Sequence, residues 1–185
     1  IGDDTPFVQS LVRAAEGGKQ VACVIELKAR FDEERNLRWA KKLEKVGAHV
    51  TYGVLGLKTH TKVALVVRKE GAQLRSYAHI GTGNYHIKTS RLYTDVGLHT
   101  CDPTITADVV NLFHYLTGIA RTPQYRKLLI APTNMRQRFL DRIEREIENH
   151  RAGRPARIVA KMNQVEDLEM GQALPAASQA GVPVE

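Results

Sequence analysis

Between Gln20 and Gly53 the spacing of apolar residues changes twice, and that double switch narrows the possible folds more than any other feature of the chain. "QVACVIEL", Gln20 to Leu27, is a short continuous apolar run with the length of a buried strand. From roughly Glu33 to Val46, Leu37, Ala40 and Leu43 recur at helical spacing, Asp32 offers a cap at the start, and Gly47 closes the segment. "AHVTYG" then returns to a strand pattern. Strand, helix and strand in immediate succession predict an α/β sheet covered by helices, because each element has an apolar side that must be buried against another.

The flanking segments extend this plan. "TKVALVVRK" and "AQLRSYAHI" are separated only by "EGA", which predicts an antiparallel hairpin attached to the same sheet. Upstream, "PFVQSLVRAAEGG" reads as a short helix with Phe7, Leu11 and Ala14 on one face and Gly17-Gly18 at its end. Downstream, "ITADVVNLFHYLTG" reads as another helix, and "IARTPQYRK" forms a boundary. "LLIAP" and "NMRQRFLDRIEREIENHRAG" begin something new: Asn134 with Gln137 resembles a capping box, and Phe139, Ile143 and Ile147 mark the buried stripe. Arg138, Arg142, Arg145 and Arg151 alternate with Asp141, Glu144, Glu146 and Glu148, which predicts a solvated face of paired charges rather than a nucleic-acid helix.

An internal echo links the two ends. Leu11, Ala14, Gly18 and Val21 recur in the same helix-turn-strand context as Leu174, Ala177, Gly181 and Val184. Taken as a repeat, it places a counterpart of "ARIVAKMN" before Ile1 and stops the second copy as its strand begins. The expected organisation is therefore residues 1–127 as one unit lacking its first strand and 128–185 as the truncated start of a similar one. A beginning without methionine agrees with a piece of a longer chain.

Charge and cysteines restrict the function classes. A net charge of +7 favours an anionic partner such as nucleotide, polyphosphate or nucleic acid, although the excess is dispersed and also serves solubility. With only 6% aromatic residues, base-stacking recognition of nucleic acid is not expected. No apolar run reaches membrane-spanning length. Cys23 and Cys101 stand far apart without metal-ligand spacing, which suggests a reducing, cytoplasmic setting without a disulfide framework; contact with the inner face of a membrane stays open.

Chemistry concentrates in "GLKTHTK". On a strand, His60 and Lys62 point the same way while Val63, Leu65 and Val67 point the other, and packing alone does not require that pairing. A neutral imidazole nitrogen can attack phosphorus to give a phosphohistidine, and an ammonium group beside it stabilises the oxygens in transit. Such a pair alone is weak, since most histidines are surface or core residues. "HIGTGNYH", His79 to His86, places Gly81 and Gly83 around Thr82, where backbone amides could approach an anion, and Asn84 could cap the next segment or orient a ligand. The bland alternative is a glycine-rich turn, with His79 simply packed. Arg30, just past a strand end, sits where open α/β sheets bind ligands; its alternative is an ion pair with Asp32 or Glu33.

Together these elements converge on phosphate handling. "VIELKARFDEERNLRWAKKLEKVGAHVTYGVLGLKTHTK" with "YAHIGTGNYHIKTSRLYTDVGLHT" resembles the first catalytic C-terminal domain of the bacterial polyphosphate kinases, from about Phe7 to the end. That domain is phospholipase D-like, with the signature HxK, an aspartate five residues after the lysine, then GSxN. Here residue 67 is Val, as the kinase family also lacks the aspartate, and GSxN appears as Gly81-Thr82-Gly83-Asn84.

The resemblance implies an α/β fold with a mixed sheet flanked by helices and reversible transfer of the ATP γ-phosphate to polyphosphate. It implies that His60 is the phosphorylated histidine, with Lys62 and Asn84 stabilising and orienting the group. Tyr93 matches a nucleotide-contacting tyrosine, and His79, Gly81, Thr82 and Gly83 fall at the ATP and phosphate end. Arg30 matches an arginine of the Mg²⁺ and phosphate site, where a guanidinium grips phosphate oxygens and is a poor direct metal ligand. The implied partners are ATP and ADP, inorganic polyphosphate, the remaining domains of the enzyme and further copies of it, with no specific nucleic acid. In the family a second domain adds a histidine and an arginine to the cleft, so this stretch alone is expected to be nearly inactive. The competing readings are a phospholipase D-like phosphodiesterase or nuclease and a non-catalytic basic module for polyanions.

Overall fold

Two units, Ile1–Leu128 and Leu129–Glu185, make up the chain in a computed structural model that describes residues 5–26, 33–120, 124–162 and 164–185. In the first, the Thr5 hydroxyl accepts from the Val8 amide and Pro6 opens helix α1, Pro6–Glu16, where its missing N–H costs nothing. Gly18, at φ +75°, then turns the chain into β1, Ala22–Val24. Helix α2 spans Glu33–Lys45, with Glu33 and Glu34 in its first turn and Lys42 and Lys45 in its last, each sign at the end that suits the helix dipole. Gly47, at φ +86°, closes it, and β2, His49–Thr51, pairs parallel to β1 in the register Ala22↔His49 to Val24↔Thr51.

The strand-helix-strand expectation holds, with two corrections. The β1 ladder covers three residues, shorter than the apolar run from Gln20. The buried face of α2 carries Asn36, Trp39, Ala40 and Leu43, while Leu37 is 40% exposed. Ala40 and Leu43 join Val12, Cys23, Ile25 and Ala48 in the core between α1, α2 and the two strands. Burying each larger side chain contributes about 1.5–3 kcal/mol. Asp32, read as the cap of α2, lies outside the described residues, as does Arg30.

The hairpin forms as read but does not extend the first sheet. β3, Lys62–Glu70, and β4, Gln73–Gly81, pair antiparallel from Lys62↔Gly81 to Glu70↔Gln73. The short helix α3, Ile87–Ser90, leads to β5, Gly97–Thr100, which pairs with β4. The result is a separate three-stranded sheet in the order β3-β4-β5, and β5 had no separate signal in the sequence. Helix α4, Pro103–Leu116, starts where Asp102 accepts from the Thr104 and Ile105 amides, and packs on β3 and β4. From α4 the buried Asp108 takes the amides of Arg126, Lys127 and Leu128 at 3.1, 2.6 and 2.9 Å. Residues 62–65 of β3 are partly covered while 66–69 are exposed, so the start of the hairpin is the end held in the core.

In the second unit, α5, Met135–Arg151, and α6, Leu168–Gln179, enclose a small core of Ile143, Ile147, Ala177 and Val182. Phe139, read as part of that stripe, is 42% exposed. The capping box does not form: Asn134 accepts instead from the Ile130 amide, and Gln137 donates to Asp141. The arginine-rich face is solvated, with exposed pairs such as Arg151–Glu144. Ile158 and Val184 form a parallel bridge around α6. The echo has a local counterpart here: Gly181, at φ +97°, follows α6 much as Gly18 follows α1.

Candidate active site

β1, the start of β3 and the turn after β4 border a cavity of about 430 Å³. Its lining includes His60, Lys62 and Asn84, three residues expected to act together, with Glu26, Tyr85 and His86. His60 stands two residues ahead of the first β3 residue, in irregular backbone rather than in the strand. Its side chain nevertheless shares a side with that of Lys62, whose Nζ lies 3.1 Å from Nδ1 and 3.0 Å from Nε2. The imidazole is exposed, within reach of an incoming anion.

The electrostatics favour a nucleophile. Partial desolvation of the ring, then the Lys62 and Lys58 charges, pull the His60 pKa below its usual value, so the ring is neutral over a wider range of pH. A neutral ring has one unprotonated nitrogen, which of the two depends on the tautomer, and the Lys62 ammonium lies close to both. The Lys62 pKa is also lowered, chiefly by burial, with Asp95 opposing the shift and Lys58 adding to it. Asp95 thus helps keep that ammonium charged.

The glycine-rich turn does other work than expected. The Thr82 amide donates to the Val96 carbonyl at 3.0 Å, and the Thr82 hydroxyl donates to Asp95. A Cβ on Gly83 would overlap the Asp95 carboxylate, and one on Gly97 would come within 2.7 Å of His79 Nε2. Gly81 and Gly97, paired across β4 and β5, together leave room for the His79 ring, with a Cβ on Gly81 at 3.0 Å from its Cε1. Gly81 and Gly83 therefore accommodate packed side chains, and the Thr82 amide is already engaged. His79 bonds the Tyr85 hydroxyl at 2.7 Å and packs against His99 with ring centroids 4.5 Å apart. Tyr85 in turn stacks on Phe7 of α1 at 4.5 Å. This stack braces the residue next to Asn84.

Asn84 does not cap α3; His86 does, its Nδ1 accepting from the Thr89 amide at 3.3 Å. That leaves the exposed Asn84 side chain at the cavity. Tyr93 is 68% exposed beyond α3 and is not among the lining residues. Sequence reasoning missed Glu26, whose signal was a carboxylate inside the apolar run "VIEL", and Asp95, which carried none. Cys23 borders the cavity too, but burial raises its thiol to about 11, which leaves it unreactive. Among the described residues no three His, Cys, Asp or Glu side chains form a metal-holding group. No described helix is long and apolar enough to cross a membrane.

Comparison with known proteins agrees along the whole chain. Residues 1–122 match the family model for polyphosphate kinase C-terminal domain 1, and residues 128–185 that for polyphosphate kinase C-terminal domain 2. The polyphosphate kinase of Thermosynechococcus vestitus is 60% identical over 182 residues, covering 98% of this chain and 25% of the relative. That of Streptomyces coelicolor is 54% identical over 182 residues, covering 98% of this chain and 24% of its own. The crystal structure of polyphosphate kinase from Porphyromonas gingivalis superposes with a TM-score of 0.86 at 36% identity, over 100% of this chain and 31% of that one. The chain thus spans about a quarter of the length of the curated relatives it matches.

Proposed function

Because the chain belongs to the polyphosphate kinase C-terminal domain family, we propose that it supplies the phosphoryl-carrying part of an enzyme that moves the γ-phosphate of ATP reversibly to inorganic polyphosphate. The observation that carries this reading is the Lys62 ammonium within 3.1 Å of both nitrogens of a neutral-leaning His60, at the mouth of a cavity also lined by Asn84.

In the first step a neutral nitrogen of His60 attacks the γ-phosphorus. The P–O bond to ADP breaks, and ADP leaves with the bonding electrons. In the second, a terminal oxygen of polyphosphate attacks the same phosphorus, the P–N bond breaks, and the electron pair returns to the ring. Lys62 stands beside the phosphoryl oxygens whichever nitrogen carries them, and its charge is worth most as those oxygens gather charge in transit. The Asn84 amide orients the group from the turn that His79 and Tyr85 brace. Tyr93 and Arg30 are assigned to nucleotide and phosphate on the family resemblance.

Mg²⁺ would enter this site with the phosphates of the nucleotide. Magnesium keeps several waters and is usually held through one or two carboxylates and the substrate's phosphates. When bound it would offset nucleotide charge. The remaining domains, other copies of the enzyme and a cytoplasmic site of action complete the proposal.

The test uses the full-length protein containing this chain and ATP labelled at the γ-position. A protein-bound label that acid removes and base does not is expected in the parent and absent in His60→Ala. A label of the same stability that survives the substitution would refute His60 as the carrier. A diesterase is disfavoured on structural grounds as well: Val67, at the place of the superfamily's aspartate, lies in the exposed outer half of β3 and is not among the cavity-lining residues.

A further inference from the structure

We infer that Glu26 is a positioning residue for His60, its carboxylate holding the backbone N–H of Thr59 and so setting the imidazole against Lys62; this rests on His60 being the phosphoryl carrier. Glu26 follows β1 and lines the same cavity as His60. A carboxylate in an otherwise apolar run is costly to cover unless it is hydrogen-bonded. Here Oε2 accepts from the Thr59 amide at 2.8 Å, a charge-assisted bond between residues 33 apart in sequence.

Both ends of this bond are constrained. The Glu26 carbonyl accepts from Asn36 Nδ2 at 3.0 Å, and Asn36 is buried on α2, which ties the base of the glutamate to a helix. On the other side the loop from β2 passes close over the carboxylate. A Cβ at Gly53, whose φ is +63°, would stand 3.4 Å from Glu26 Oε2 and 3.7 Å from the Thr59 hydroxyl. Both are ordinary contact distances, so it is the backbone angle that favours glycine here.

The bond matters because of where it falls. The β3 ladder begins at Lys62↔Gly81, so His60 precedes it and lacks a ladder partner of its own. Its backbone is held by the strand on one side and by the Glu26 clasp on the other. Without the clasp, segment 58–61 is free to shift against Lys62, and a misplacement of about 1 Å can cost about a hundredfold in rate. The carboxylate is itself repelled by phosphate, and the inferred route of its effect on the reaction is the Thr59 amide.

The experiment compares Glu26→Gln, Glu26→Asp and Glu26→Ala in the full-length protein. Gln keeps an acceptor oxygen at the same reach; Asp keeps the charge but withdraws it by one methylene; Ala removes both. Single-turnover labelling by Mg-ATP is expected to fall about 30-fold in the Ala and Asp variants and no more than about threefold in Gln, with the ATP KM within about twofold. Hydrogen exchange of the Thr59 amide is expected to speed up in Ala and Asp and to stay slow in Gln and in His60→Ala. Undiminished labelling in both Ala and Asp, or Gln as slow as Ala, would overturn the inference, as would a loss carried wholly by KM. If Ala fails to fold, the contrast of Gln with Asp decides. The two readings separate cleanly: persistent label in His60→Ala refutes the carrier, whereas unchanged Thr59 exchange in Glu26→Asp refutes the clasp.

Discussion

Lys62 Nζ stands 3.1 Å from His60 Nδ1 and 3.0 Å from Nε2, so a single ammonium lies close to both candidate nucleophilic atoms of the ring. That equidistance ties the protonation of the histidine to the charge of the lysine, and it makes the pair testable as a unit.

Replacing Lys62 by Met removes a positive charge that helps hold the His60 pKa down, although burial is the larger cause and remains. The protonated ring cannot attack phosphorus, so the acid limb of single-turnover labelling is expected to move to higher pH. At the plateau, loss of the charge beside the phosphoryl oxygens is expected to slow labelling by about a hundredfold. A pH-rate series on Lys62→Met in the full-length protein checks both; an acid limb that stays in place or moves down contradicts the coupling.

Gly97→Ala tests the space beneath His79. The new Cβ would stand 2.7 Å from Nε2 of a ring held by the Tyr85 hydroxyl and packed on His99, so the imidazole must leave its place. A loss of about 1–2 kcal/mol in urea unfolding is expected. His79→Ala in the same chain should remove most of the additional penalty, since the overlap is with that side chain. A double variant whose losses simply add would show that the glycine serves something else.

Asp108 is expected to contribute to stability in a pH-dependent way. Burial raises its pKa, but the amides of Leu128, Lys127 and Arg126 outweigh that and bring it below the ordinary 3.8. A folded value below the unfolded one means that the contribution is complete above the ordinary value and is lost as pH falls through the depressed one. Asp108→Asn is expected to cost about 2–3 kcal/mol near neutral pH. The difference between the two proteins should shrink below pH 3.8, and a difference independent of pH would exclude this account.

Most of the elements were legible because they depend on neighbours a few residues apart. Helical spacing marked α1, α2 and α4, and alternation with a three-residue connection marked the hairpin of β3 and β4. His60, Lys62 and Asn84 were legible for a similar reason: chemistry-bearing residue types stood at spacings that packing did not require. Caps were less reliable, because an oxygen such as that of Asn134 takes whichever amide the fold brings near, here Ile130.

By itself, then, the sequence determined most of the local elements, singled out His60 and Lys62 as the pair to test, and gave the kinship that the comparisons bear out. Only the tertiary structure decided that the hairpin builds its own sheet with β5, that Gly81 and Gly97 make room for His79, and that Glu26 clasps Thr59 from 33 residues away. The physical reason is range: backbone propensity and side-chain period act over a few residues. The partner of a buried carboxylate or the occupant of a glycine's missing Cβ depends on which distant segments the core brings together.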